Sequence, residues 1–358
     1  MTAFIKRLIK HLLAVCIYYS GLLSFFDIIK RLTSTPDDFS ILMYHCVLGD
    51  TAKEREYLQD GMIVSENIFE KQIAYLSHNY NIIAFDELVN LLKAEKRPPR
   101  KTVCITFDDG WRDNYNCAYP ILKKHNIPAM IFLPTDFINT GKLFWFIKVI
   151  IALSDNYNLS DGLADIFDKV KQEFDDRDAA NLPQANDIVD IGDNPDKLIE
   201  KLKQYDLEVS DRIIDLMLSK SGQHTDKKRW TLSWDEINEM MRNNIDFGSH
   251  GQSHKIMTLL PPDEVRKEMV KSKEIIEKNT NRPIQVFSYP NGDYNADTKI
   301  LAQKAGYKSA VATSGCEPAG DKPDLFALRR TGIHDGVSTG ITGRFSKAMF
   351  ACYLKRIF

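Results

Sequence analysis

From Phe39 to Ile333 one pattern recurs: a short, unbroken apolar run, then a stretch of helical period, then another apolar run. The runs are "FSILMYHCV", "NIIAF", "KTVCITF", "PAMIFLP", "IDFGSH", "QVFSYP", "KSAVAT" and "FALRRTGI". They do not alternate apolar with polar, so each strand is expected to be covered on both faces, as parallel strands between helices are. The helical stretches between them include "SENIFEKQIAYLSHNY", with Ser65 placed to cap it. Another is "LSWDEINEMMRNN", where Ser233 and Glu236 have capping-box spacing. This alternation predicts a distorted (β/α) barrel of about seven strands.

The rhythm breaks once. From about Leu143 to Lys228 the chain is charged and largely helical in period, without strong strands, and residues 175–196 read as a polar linker. The expected organisation is therefore a barrel in two parts, 34–142 and 229–340, around a helical insertion or lid at 143–228, with a tail at 341–358. Residues 1–33 stand apart. Lys6, Arg7 and Lys10 precede an apolar stretch from Leu12 to Phe26, and Lys30 and Arg31 follow it. That stretch is short for a spanning helix. An uncleaved anchor, an interfacial helix with basic flanks and a buried helix of the domain all fit it, and the first two make the protein membrane-associated on a side left open.

With 358 residues, 44% of them hydrophobic, the chain can bury a full core. Its net charge of −2 argues against a nucleic-acid partner. The six cysteines form no CxxC pair and read as free thiols, although an even number could pair.

In a barrel of this kind chemistry sits at the C-terminal ends of the strands. Asp108 and Asp109 end one predicted strand, His250 ends another with His254 just beyond, "SYPNGDY" ends a third, and His334 with Asp335 ends a fourth. Adjacent buried carboxylates repel, so the Asp pair needs a nearby positive charge or full exposure in a turn. His250 and His254, at i and i+4, would face one ion if they lay on a helical turn. Two imidazoles and a carboxylate then make a three-ligand metal site with open positions. One aspartate binds the cation, and the other stays beside it as a base.

The segments "TFDDGWRDNY", "SHGQSHKIMTL" and "FSYPNGDYN", in that order, resemble the motifs of the NodB-type polysaccharide deacetylases. "LMYHCV" is similar to the start of the subgroup that acts on exopolysaccharides. The resemblance implies a hydrolase that removes N-acetyl groups from an amino-sugar polysaccharide or lipid-linked glycan. It assigns Asp108 as general base, and Asp109, His250 and His254 as ligands of one divalent metal: zinc first, with cobalt, nickel or iron also accepted by such a set. It places an oxyanion and substrate element at Tyr289, Pro290, Asn291 and Gly292, with the Asn291 N–H facing the oxyanion. It also implies a late histidine that protonates the leaving amine, matched by His334, which could instead be a loop histidine beside Asp335.

The chain departs from the family in having Ser288 where an arginine normally orients the base, which passes that role to Arg329 or Arg330. His45 either lines the site or is a buried, hydrogen-bonded histidine, and Tyr289 and Tyr294 either stack on sugar or pack at the barrel mouth. Two rivals keep the same fold: a deformylase or other amide hydrolase, and a non-catalytic glycan-binding component of exopolysaccharide assembly.

Overall fold

The computed structural model describes residues 3–23, 25, 39–49, 52–153, 159–174, 182–191, 194–221, 228–313 and 323–357. The chain divides into two compact units. One comprises 1–52, 60–140 and 231–358, and the other comprises 53–59 and 141–230.

The first unit is a closed parallel barrel. Its strands are β1 (Phe39–Tyr44), β5 (Thr102–Phe107), β6 (Ala129–Leu133), β7 (Ile245–Ser249), β8 (Val286–Ser288), β9 (Ser309–Ala312) and β10 (Leu328–Gly332). Each pairs in parallel with the next in that order, and β10 returns to β1. The ring is distorted at β5. Strand β4 (Asn81–Ile82) takes the part of one β5 edge at Thr102–Val103, while β6 takes Thr106–Phe107.

Two strand expectations and one cap need correction. "FSILMYHCV" is not one strand: the chain breaks at His45, β1 enters the barrel, and β2 (Cys46–Leu48) pairs with β3 (Ile63–Ser65) in a separate sheet. "NIIAF" yields only the two residues of β4, because Phe85 already begins the next helix. Ser65 does stand at the start of helix Glu66–Asn79, but its hydroxyl does not cap it. The hydroxyl donates to Asp335 Oδ2 at 2.5 Å instead. The Ser233–Glu236 capping box forms as read.

Period-two alternation sorts the strand residues. Ile41, Cys104, Met130, Phe132, Val286, Val311 and Leu328 form the inner layer, closed at one end by Phe85, Leu88 and Val89 of helix Phe85–Lys93. Their neighbours, such as Leu42, Ile105, Ile131 and Phe247, face the surrounding helices. Gly248 lies where a Cβ would come within 2.5 Å of the Phe132 ring, so only glycine lets that ring fill the barrel. Each such fully buried side chain contributes about 1.5–3 kcal/mol of transfer free energy.

The helix Ala3–Tyr19 packs along the last helix, Lys347–Leu354. It starts before the apolar stretch and includes Lys6, Arg7 and Lys10. Arg7 donates to Thr339 Oγ1 and to the Gly340 carbonyl, and Ala14 is fully buried. Among the described residues no helix is long and apolar enough to cross a membrane. The described cysteines, all but Cys316, are free thiols.

The second unit contains helices Trp145–Leu153, Leu159–Glu173, Ala185–Ile191, Pro195–Leu202 and Leu207–Ser221. Ile147, Leu163, Ile166, Phe167, Leu198, Ile213 and Met217 are buried in it. Residues 175–196 are not wholly a linker. Ala185–Ile191 is helical, and Asn194 caps the next helix by accepting from the N–H groups of Asp196 and Lys197. The polar composition hid the first of these helices because one of its two buried residues, among those described, is a carboxylate, Asp187, and the other, Ile191, ends it.

Candidate metal centre

One step beyond the apolar inner layer, four strands each deliver a polar side chain inward. Alternation from Cys104 reaches Asp108, from Gly248 it reaches His250, from Val286 it reaches Ser288, and from Leu328 it reaches Arg330. All four are buried. Arg330 donates Nη1 to Asp108 Oδ1 and Nη2 to Asp108 Oδ2, both at 2.7 Å, and Nη2 also to Ser288 Oγ at 2.9 Å. Its guanidinium lies 5.4 Å from the centre of the Phe132 ring. Burial alone would push the Asp108 carboxyl up, but Arg330 and His250 hold it below the usual carboxylate range.

Asp109 points elsewhere because its backbone turns. Its φ of 70° and the 58° of Gly110 are left-handed, and a Cβ at Gly110 would lie 2.8 Å from Leu133 Cδ2. Trp111 Nε1 donates to Asp109 Oδ2 at 3.0 Å. The other oxygen, Oδ1, is buried and accepts no hydrogen bond. It lies 3.0 Å from His254 Nε2 and 3.5 Å from His250 Nε2. An ion about 2.0–2.1 Å from tetrahedral donors needs donor–donor separations of about 3.3 Å. The three ligand atoms all lie within 4.8 Å of one another, so the set fits a small divalent cation.

His250 Nδ1 is 2.8 Å from the Ser288 carbonyl, an acceptor, so that nitrogen carries the proton and Nε2 keeps its lone pair. Burial lowers the His250 pKa to about 4, which keeps the ring neutral at pH 7. Burial would also raise the Asp109 carboxyl, yet the imidazoles, His254 first, keep it ionised far below its ordinary value.

The two histidines do not share a helical turn, contrary to the spacing argument. His250 follows β7, and a loop brings His254 back. Gly251 has φ 77°, and His254 itself has φ 58°. A left-handed non-glycine residue costs on the order of 1 kcal/mol or more unless its surroundings hold it. Here Glu268 holds it. Its Oε2 accepts from the N–H groups of Gln252 and Ser253 at 2.7 and 2.8 Å, and its Oε1 accepts from the Ser253 hydroxyl at 2.7 Å. Asp136 Oδ1 accepts from Gln252 Nε2 at 3.0 Å.

The remaining candidates separate. Arg329, one residue from Arg330, falls on the opposite strand face, so of the two arginines it is Arg330 that holds the base, with the Ser288 hydroxyl also donating to Asp108. Tyr289 is fully buried, donates its hydroxyl to the Phe326 carbonyl and stacks on Tyr294. It packs against the barrel rather than offering a face to sugar. Pro290 and Gly292 are buried, and Gly292 packs so closely on Thr313 that a Cβ would come within 2.3 Å. Asn291 is exposed with φ 59°.

His334 caps the short helix Asp335–Ser338, with Nδ1 accepting from the Gly336 N–H at 3.2 Å. Burial lowers its pKa, and the charges that act on it are those of Asp335, Asp60 and Lys10. His45 directly follows β1, whose Tyr44 pairs with Phe107, the residue before Asp108. Its carbonyl accepts from Asn114 Nδ2 at 2.8 Å.

Sequence reading missed Trp111, Glu268 and Asp136. Trp111 lies inside "TFDDGWRDNY" and was legible as the residue after the turn. Glu268 sits fourteen residues beyond His254, and nothing local marks it.

A family model described as polysaccharide deacetylase matches residues 95–310. The chain is 24% identical over 320 residues, 88% of its length and 79% of the other, to the Bacillus subtilis (strain 168) protein YxkH, which bears a polysaccharide deacetylase name. It is 44% identical over 79 residues to the poly-beta-1,6-N-acetyl-D-glucosamine N-deacetylase of Staphylococcus aureus, a match that spans only 25% of that enzyme. The fold is similar to that of the Streptococcus pyogenes deacetylase PplD solved with acetate: TM-score 0.54 at 21% identity, covering 86% of this chain and 97% of that one. It is also similar to IcaB from Ammonifex degensii: TM-score 0.52 at 16% identity, covering 89% and 97%.

Proposed function

Because the chain belongs to the polysaccharide deacetylase family, we propose that it is a metal-dependent hydrolase that removes acetyl groups from N-acetylated amino sugars in a glycan. The observation that carries this reading is the convergence of Asp109 Oδ1, His250 Nε2 and His254 Nε2 beside an arginine-clamped carboxylate.

Asp109, His250 and His254 would hold the cation, zinc in the first instance. When bound, it polarises the acetamide carbonyl and lowers the pKa of water. Asp108 takes the proton of the attacking water. Arg330 keeps Asp108 ionised and fixes both of its oxygens, so the carboxylate meets water in one orientation. The backbone N–H of Asn291 faces the developing oxyanion. His334 is the histidine that would protonate the leaving amine, and His45, one residue past the β1 position that pairs with Phe107, would line the site.

The test is acetate release from N-acetylglucosamine oligomers by the full chain with zinc or cobalt and with chelator, beside Asp108→Asn and His254→Ala. Acetate that needs metal and vanishes in both variants is expected. One bound metal per chain without acetate would remove this substrate class and leave another amide or a binding role. No bound metal would remove the reading itself.

A further inference from the structure

Two segments far apart in sequence form one face of the barrel unit. Arg7 reaches Thr339 and Gly340, His11 lies against Gly340, and Cys352 Sγ donates to the Ala14 carbonyl. The helix Ala3–Tyr19 therefore runs beside residues 339–352. Its docked side carries Arg7, His11 and Ala14. The opposite side is apolar and open to solvent: Ile5 is 41% exposed, Ile9 44%, Leu12 54%, Leu13 50% and Tyr19 75%. These positions follow helical spacing on a single face. Leu22, Phe25 and Ile341 are also exposed, each at least 40%. An apolar helix face of this kind is costly in water and marks a contact surface.

The two segments that form this face carry charge of one sign, with Asp335 just before the second and Asp60 near Lys10. Residues 1–26 and 336–358 contain no aspartate or glutamate, and they carry Lys6, Arg7, Lys10, Arg344, Lys347, Lys355 and Arg356. Seven basic residues without an acid stand out in a chain of net charge −2. A second copy meeting this face about a two-fold axis would set basic residues against basic residues. An apolar face rimmed by cations is complementary to a surface that is apolar inside and anionic at its edge.

We propose that this face seats the protein on an anionic lipid bilayer. The helix Ala3–Tyr19 lies in the interface plane, with Ile5, Ile9, Leu12, Leu13 and Tyr19 sunk below the headgroups and the lysines and arginines at phosphate level. The helix does not span the bilayer. It is a peripheral contact made by a helix already packed on the barrel, so the enzyme meets membrane with one fixed side.

The experiment is flotation of the purified full chain with vesicles of phosphatidylcholine alone and of phosphatidylcholine mixed with phosphatidylglycerol, at low and raised salt. Ile9→Glu with Leu12→Glu tests the apolar face, and Lys6→Gln with Lys347→Gln tests the charge. Circular dichroism and thermal melting verify that the variants fold. Sedimentation velocity reports self-association. Binding to the anionic vesicles, weakened by salt, is expected. The charge pair should weaken it about fivefold per residue removed, and the glutamate pair should abolish it. Failure to float with either vesicle would overturn the proposal, as would a salt-resistant dimer that the glutamate pair dissolves. Vesicle binding unchanged in a folded glutamate pair would overturn it too.

Discussion

The two units bury polar groups in opposite ways. In the helical unit Asp187 is buried and fully answered: Lys201 Nζ meets Oδ1 at 2.7 Å, while Oδ2 accepts from the Tyr205 hydroxyl and the Gln184 N–H, each at 2.6 Å. All its partners lie within about a dozen and a half residues of sequence. In the barrel unit the buried polar groups come from strands as much as 222 residues apart, and Asp109 Oδ1 ends without a hydrogen bond. A buried charge whose partners are complete is structural. One whose oxygen lies 3.0 and 3.5 Å from two imidazole nitrogens, from different points of a loop, is placed to share a ligand with them. Among the described residues the barrel site is the only such cluster of potential ligands.

The harshest way to break that contrast is Arg330→Met. It leaves Asp108 buried without its cation, a change that costs about 3–5 kcal/mol. The barrel's thermal transition should drop, and acetate release should fall at least as far as the population of folded protein requires. Arg329→Met, one residue away on the other strand face, should lack the kinetic effect. Equal losses in the two variants would show that Arg330 acts through the strand and not through Asp108.

Metal is the next largest lever. A cation that binds only the folded site stabilises by about 2.7 kcal/mol at one hundred times its Kd. Zinc added to chelator-treated protein should therefore raise the barrel's melting temperature, and His254→Ala should abolish that rise. A zinc response retained in His254→Ala would place the metal elsewhere.

Glu268→Ala sharpens the point about partners. It removes the acceptor of three donors that hold the loop carrying His254. Metal affinity measured by calorimetry should weaken about 10–100-fold, as changes one shell behind a ligand do. Glu268→Gln, which keeps an acceptor, should recover part of it. If both variants bind metal like the parent, the left-handed His254 is held by other contacts.

These residues also show what could be read in advance. Asp108 and Asp109 were legible because two charges at the end of an apolar strand demand explanation, and Gly110 gives them the turn. Arg330 could not be separated from Arg329, since only the register of β10, set by β1 and β9, decides which one faces in. His250 and His254 were paired for the wrong reason: i, i+4 spacing suggested a helix, and a left-handed loop did the work. Ser65 matched the cap signal, but Asp335, 270 residues on, competes for its hydroxyl. Residues 53–59 gave no sign that they belong with the helical unit. Local chemistry was visible, and partners supplied by closure of the barrel were not.

The smallest expected effect belongs to the helical unit and depends on pH. Burial alone would raise the Asp187 carboxyl, but Lys201, Tyr205 and Gln184 hold it below its ordinary value. A carboxyl whose folded pKa is depressed binds its proton more readily in the unfolded chain. Its stabilisation is therefore complete above the unfolded value of about 3.9 and drains away as the pH falls below it, toward the folded pKa. Helical signal and melting temperature, followed from pH 7 downward, should show an acid-sensitive component attributable to this unit. Asp187→Asn should remove that component while lowering stability at pH 7 by about 1–3 kcal/mol, since it leaves Lys201 and the Tyr205 hydroxyl with a poorer acceptor. The Arg330-clamped Asp108 also contributes acid sensitivity, but in the barrel, so the Asp187→Asn melt must be compared with the parent at each pH. An acid limb identical in the two proteins would mean that Asp187 is not ionised by its partners, and the contrast between a satisfied and an open carboxylate would lose its simpler half.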